Sequence, residues 1–189
     1  MSVLSDPEQV MRDYLAQPRF VTSSHEEPPG SGWRAETGTG GLDARPETIQ
    51  ILKTRALDAR RLYAVTFEDT RGRHMLFYCH IAQDTDGDWR FEGGAGGGTR
   101  DGGPHRGHPW IKLGGGGWPR RFYAGGAVVE DDGQTVARAR LRAANGVTVE
   151  DRSEDGIALF LTDDTVTLPV ETELLDATGA IVSRHVGLR

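Results

Sequence analysis

Hydrophobic positions recur along this chain with two different periods, and the change from one to the other organises it. Near the start, Val10, Met11, Tyr14 and Leu15 fall at helical spacing behind Ser5, Pro7 and Glu8, a capping-box pattern with proline in the first turn. A helix over 6–17 is predicted, ended by Pro18. From Thr22 to Pro46 the chain turns polar and rich in Gly, Pro, Ser and Thr with no period of its own. That stretch reads as a mobile loop or lid in which Trp33 is the one residue that gains from docking.

Beyond it the period becomes two. Residues 48–57, 61–68, 74–82 and 88–92 are rich in β-branched and aromatic side chains, and DTRGR and QDTDGD between them carry turn residues. A helix followed by such a meander predicts an α+β module over 1–95, with the helix across one face of an antiparallel sheet. Residues 96–119 read as a glycine-rich connecting loop. Six further strands are predicted at 122–130, 135–143, 147–151, 157–162, 166–175 and 180–186, with Asn145-Gly146 and Asp155-Gly156 as hairpin signals. Short strands at that spacing point to a small antiparallel sandwich over 120–189, so the fold class expected is mainly β.

The patterns ARARLRAANGVTVEDRSEDGIALFL and LPVETELLDATGAIVSRH resemble, over the last third of the chain, the immunoglobulin-like accessory modules found on many bacterial proteins. The cysteine pair and core tryptophan of antibody domains are absent. Such modules mediate contacts or pack against a neighbour, and that is what the resemblance implies here. The first half is loosely similar to the cystatin-like and NTF2-like cones of a helix on a curved sheet.

Composition narrows the chemistry. The 189 residues carry a formal net charge of −6, which argues against general affinity for nucleic acid and points to neutral or basic partners. Of 22 basic residues only Lys53 and Lys112 are lysine, a bias that fits a GC-rich genome. A single cysteine, Cys79, rules out an internal disulfide, and neither an export signal nor a run of about 18 apolar residues is visible. The expectation is a cytoplasmic protein away from the membrane, with a protein or a small molecule as partner.

The stretch EGGAGGGTRDGGPHRGHPWIKLGGGGWP lacks the Lys-Ser/Thr of a phosphate loop, and Thr99 and Asp101 occupy the positions where a dinucleotide fingerprint needs its last small residue. No cofactor is expected. His105 and His108 form an HxxH pair that is a candidate metal site lacking a defined third ligand. Trp110, Ile111, Leu113 and Trp118 are too apolar to stay in water and are read as tacking the loop down, with Trp110 and Trp118 candidates for a pocket mouth. Asp84, Asp86 and Asp88 have calcium-loop spacing, but Trp89 stands where the invariant glycine belongs, so a hairpin turn accounts for them.

On strand 74–82, Met75, Phe77, Cys79 and Ile81 share the core face, while His74, Leu76, Tyr78 and His80 share the other. Joined by Tyr63, Val65 and Phe67, that second face is the candidate ligand wall, with His74, Tyr78 and His80 as its polar groups and Trp33 on the lid. Cys79 and His80 point to opposite faces and cannot act as nucleophile and base. Arg138, Arg140 and Arg142 line one face of a strand, and cross-strand pairing with glutamates such as Glu171 and Glu173 is the simpler reading of them than polyanion binding. The leading expectation is a non-catalytic binding or accessory protein whose interaction surface lies where the two halves and the glycine stretch meet. A small-molecule binder or enzyme using the first sheet, and a metal protein centred on the HxxH loop, are the alternatives.

Overall fold

The computed structural model describes residues 6–26, 34–97, 108–117, 120–131 and 133–189. Among the described residues one α-helix is followed by strands, interrupted by a 3-10 turn at Pro46–Thr48, and every pair of neighbouring strands is antiparallel. Helix α1 spans Pro7–Ala16 behind the N-cap Asp6, whose carboxylate accepts the Glu8 N–H at 3.3 Å. Ser5, expected as the cap, lies outside the described residues. Met11 and Leu15 are fully buried against the first sheet, each worth roughly 1.5–3 kcal/mol of apolar burial.

The stretch expected as an irregular loop or lid after the helix contains a hairpin instead: β1 (Arg19–Glu26) pairs with β2 (Arg34–Gly40). Its ladder satisfies the backbone without the apolar alternation from which strands are read. Trp33 lies outside the described residues.

The first sheet holds β3 (Gln50–Leu57), β4 (Arg60–Glu68), β5 (His74–Gln83) and β6 (Trp89–Gly96) in that order. The turn before β6 is closed by Asp84, whose carboxylate accepts the N–H groups of Asp86 and Asp88 at 2.9 and 3.1 Å. A middle sheet of three strands has the order β11 (Ile157–Leu161), β8 (Tyr123–Val129), β7 (Trp110–Gly116). An outer sheet follows the order β10 (Thr148–Arg152), β9 (Arg138–Ala143), β12 (Val170–Leu175), β13 (Ile181–Leu188).

Three apolar clusters fix the stacking. Helix α1 and Tyr63, Val65, Phe77, Cys79 and Ile81 form one. Leu62, Ala64, Leu76 and Tyr78 on the opposite face meet Tyr123, Ile157, Leu159 and Leu161 of the middle sheet. Ala124, Ala158 and Phe160 turn the other way, onto Ala139, Leu141 and Leu174 of the outer sheet. The layers therefore run helix, first sheet, middle sheet, outer sheet, and β11, with all five residues buried, is sandwiched on both sides.

Two further expectations are corrected. Tyr63, Val65 and Phe67 lie opposite Cys79, Phe77 and Met75, so they share the helix-facing side rather than the face of His80. The antiparallel register decides this, since directly opposed residues point the same way. And within the connection expected over 96–119, Trp110–Gly116 is the edge strand β7. Glycines hide it because a neighbour's ring supplies the bulk: a Cβ at Gly93 of β6 or Gly116 of β7 would stand 2.6 or 2.9 Å from the Tyr123 hydroxyl. Gly125 on β8 likewise leaves room for the Tyr78 ring.

Candidate functional site

The first sheet's inner face, where a ligand wall was expected, is packed. Tyr78 is buried against the middle sheet and His80 is 1% exposed. His74, at the start of β5, is exposed and sits at the far end of the strand from His80. The three do not converge on a cavity. His80 accepts a hydrogen bond at Nε2 from Arg60 Nε at 3.0 Å and stacks on Tyr123 with ring centroids 4.8 Å apart. Burial, reinforced by the Arg60 and Arg121 charges, lowers its pKa to about 4, so the ring is a neutral acceptor. Burial likewise pushes the Cys79 thiol up, and on the helix-facing side it is inert core.

Arg60 is the centre of this junction. Its remaining donors reach the Thr162 carbonyl at 2.9 Å, the Phe122 carbonyl at 3.1 Å and the Asp163 carboxylate at 2.5 Å. Burial works against its charge and Asp163 restores it. One side chain of β4 thus holds the loops that flank β8 and β11.

A second set of cations crosses the same seam. Lys53 of β3 pairs with Asp151 at 2.8 Å and Glu154 at 3.3 Å, and donates to the carbonyls of Arg152 and Ile157 at 2.6 and 3.3 Å. Arg55, two residues on, donates to the carbonyls of Glu150 and Leu159 at 3.0 and 2.8 Å and pairs with Asp151 at 3.3 Å. Asp151 in turn accepts the Leu159 N–H at 2.6 Å. Side chains therefore occupy backbone groups along the facing edges of β10 and β11.

The outward face of the outer sheet carries the arginines. Glu150, Arg140, Glu173 and Arg184 stand in one cross-strand row of alternating sign. Arg140 bonds Glu150 at 2.9 Å and Glu173 at 3.2 Å, and Arg184 bonds Glu173 at 2.6 Å. Burial pushes the Glu150 carboxyl up, but Arg140 and Arg138 outweigh it and hold it below the usual range. Of the two glutamates expected to pair with the β9 arginines, Glu173 does so, joined by Glu150, whereas Glu171 stands opposite Arg142 and makes no ion pair among the described residues. In the neighbouring row Arg152 stands directly opposite Arg138, two like charges. At that corner a shallow open groove of about 710 Å³ is lined by Arg55, Arg138 and Arg152, by the carboxylate residues Glu150 and Asp151, and by Ala137 and Ala177. It takes residues from β3 of the first half and from β9, β10 and the β12–β13 turn of the second.

Trp110 opens β7 and is buried, part of the fold's interior. His108 is exposed, while His105 and Trp118 lie outside the described residues. Among the described residues no group of three or more His, Cys, Asp or Glu is placed to hold a metal ion, and no helix is long and apolar enough to cross a membrane.

The side chains that join the halves, Lys53, Arg55, Arg60 and Asp151, are not those singled out from sequence. The signal was present in TIQILKTRAL: Lys53 and Arg55 alternate with polar Thr54 on a strand, so one face of β3 had to carry charge. Comparison with protein-family models, with curated proteins and with solved structures finds no match to this chain.

Proposed function

We propose that the protein is a cytoplasmic, non-catalytic binding or accessory protein whose interaction surface is the groove where β3 meets the β9–β10 corner of the outer sheet. The carrying observation is that groove itself, where side chains of both halves, Arg55 on one side and Arg138 and Arg152 on the other, reach a common open surface. Its floor is pinned by the Lys53 and Arg55 bonds to β10 and β11, so the surface is rigid before a partner arrives, which lowers the ordering cost of binding. The likeness of the last third to immunoglobulin-type accessory modules is in keeping with this role. The histidine on which a ligand pocket in the first sheet would have relied, His80, is committed to Arg60.

A photo-crosslinking residue placed at Ala177, which is exposed at the groove, tests this against the same residue at Thr85 in the exposed β5–β6 turn. In extracts of the cells that make the protein, a discrete adduct at Ala177 and none at Thr85 is expected. Equal labelling from both positions, or none from Ala177, overturns the reading.

A further inference from the structure

Resting on that reading, we infer that the groove receives a carboxylate-bearing segment of an acidic partner protein, gripped by Arg138 and Arg152. On the row formed by Glu150, Arg140, Glu173 and Arg184 every charge faces its opposite, and both carboxylates are shared between arginines. One row along, Arg152 opposes Arg138, an arrangement that repels. Arg138 shares Glu150 with Arg140 at 3.0 Å, whereas the Arg152 side chain makes no ion pair among the described residues.

Nor does the rest of the groove supply the missing anion. Asp151 is already held by Lys53, Arg55 and the Leu159 N–H, and Glu154 leans on Lys53. Two guanidinium forks on paired strands, with Cβ atoms about 5 Å apart, suit a planar carboxylate lying between them. The outer sheet holds an example of that grip, since Arg140 and Arg184 flank the carboxylate of Glu173.

Spacing and charge decide what bears the carboxylate. Arg138 and Arg152 present their guanidinium groups side by side on neighbouring strands, a span that one or two alternate side chains of an extended peptide cover. A long polyphosphate fits less well, because the chain's net charge of −6 repels every part of it that runs beyond the groove, whereas an acidic segment of about six residues, roughly 20 Å when extended, places fewer charges outside it. Exposed Asp155 and Glu154 at one end of the seam add to that repulsion.

The test is fluorescence anisotropy of fluorescein-labelled hexaglutamate titrated with the full chain in 50 mM salt. Three proteins are compared: the wild type, the double variant R138Q/R152Q, and R90Q on β6 at the opposite edge of the first sheet. Saturable binding is expected, loosened at least tenfold in the double variant, unchanged in R90Q and weakened at 300 mM salt, with all three proteins melting alike. No binding, or equal binding by the double variant, overturns the inference. So does tighter binding of inorganic phosphate or of a 12-base-pair DNA duplex than of hexaglutamate, which would identify the site as a small-anion or nucleic-acid site. An Ala177 adduct without hexaglutamate binding retires the acidic partner and leaves the binding-protein reading in place; loss of both retires both.

Discussion

Arginine does two different jobs in this molecule, and comparing the buried junction around Arg60 with the outward face around Arg138 shows what separates them. Arg60 is 5% exposed, and its donors meet His80 Nε2, two backbone carbonyls and a carboxylate. On the outer sheet, Arg138, Arg140, Arg142 and Arg184 share two carboxylates, and Arg142 and Arg184 remain more than half exposed. Where acceptors match donors the side chain is structural, because removing it strands buried partners. Where donors outnumber acceptors it is free to recognise something else.

The sharpest way to break this contrast is to delete the buried member. Arg60→Ala leaves the Thr162 carbonyl and His80 without that donor and the Phe122 carbonyl with the Thr162 N–H alone, and should cost about 3–5 kcal/mol, lowering the melting temperature by roughly ten degrees or more. A melting temperature near wild type would mean that the junction is not held by Arg60.

The next effect follows acid. With its folded pKa at about 4, below the ordinary 6.5, His80 takes up a proton more readily in the unfolded chain. Its contribution is therefore complete above pH 6.5 and is lost as pH falls through 4, by up to about 3 kcal/mol. Denaturant midpoints measured from pH 7.5 to 4 should fall less steeply for His80→Gln than for wild type. Parallel curves would show that the ring is not held neutral.

A smaller loss, about 1–3 kcal/mol, is expected for Gly125→Ala, whose new methyl meets the Tyr78 ring between the first and middle sheets. Chemical denaturation measures it, and an unchanged midpoint would mean the two sheets are looser there than the packing implies. The smallest belongs to the exposed arginine. Arg152→Gln should alter stability by less than about 0.5 kcal/mol, with any shift in the stabilising direction because it relieves repulsion from Arg138. A large loss would place Arg152 with Arg60 among the structural arginines and spoil the comparison.

Much of the fold was legible in the chain because most strands alternate. The expected strand at 74–82 is β5, and those at 147–151 and 157–162 are β10 and β11 within a residue or so. The misses have specific causes. In β1 and β2 the side chains carry no period, and in β7 the glycines leave the bulk to Tyr123 of the neighbouring strand. The site was less legible than the fold. His80 was noticed because histidine draws attention, yet its chemistry is set by Arg60, a residue that by itself looks like any strand-end arginine. Pairing of the β9 arginines could be anticipated from alternation alone, but the opposition of Arg138 and Arg152 depends on a register that no local pattern fixes.

The middle sheet, apolar on both faces, also sets a schedule for synthesis. The strands of the first sheet have all been made once residue 96 is joined, with Leu62, Leu76 and Tyr78 still facing water. Their cover is complete only when Leu161 has been added, about sixty-five residues later, a delay of roughly 3–13 s at usual rates of elongation. For those seconds the nascent chain presents a sticky wall that its own later strands must reach before another chain does.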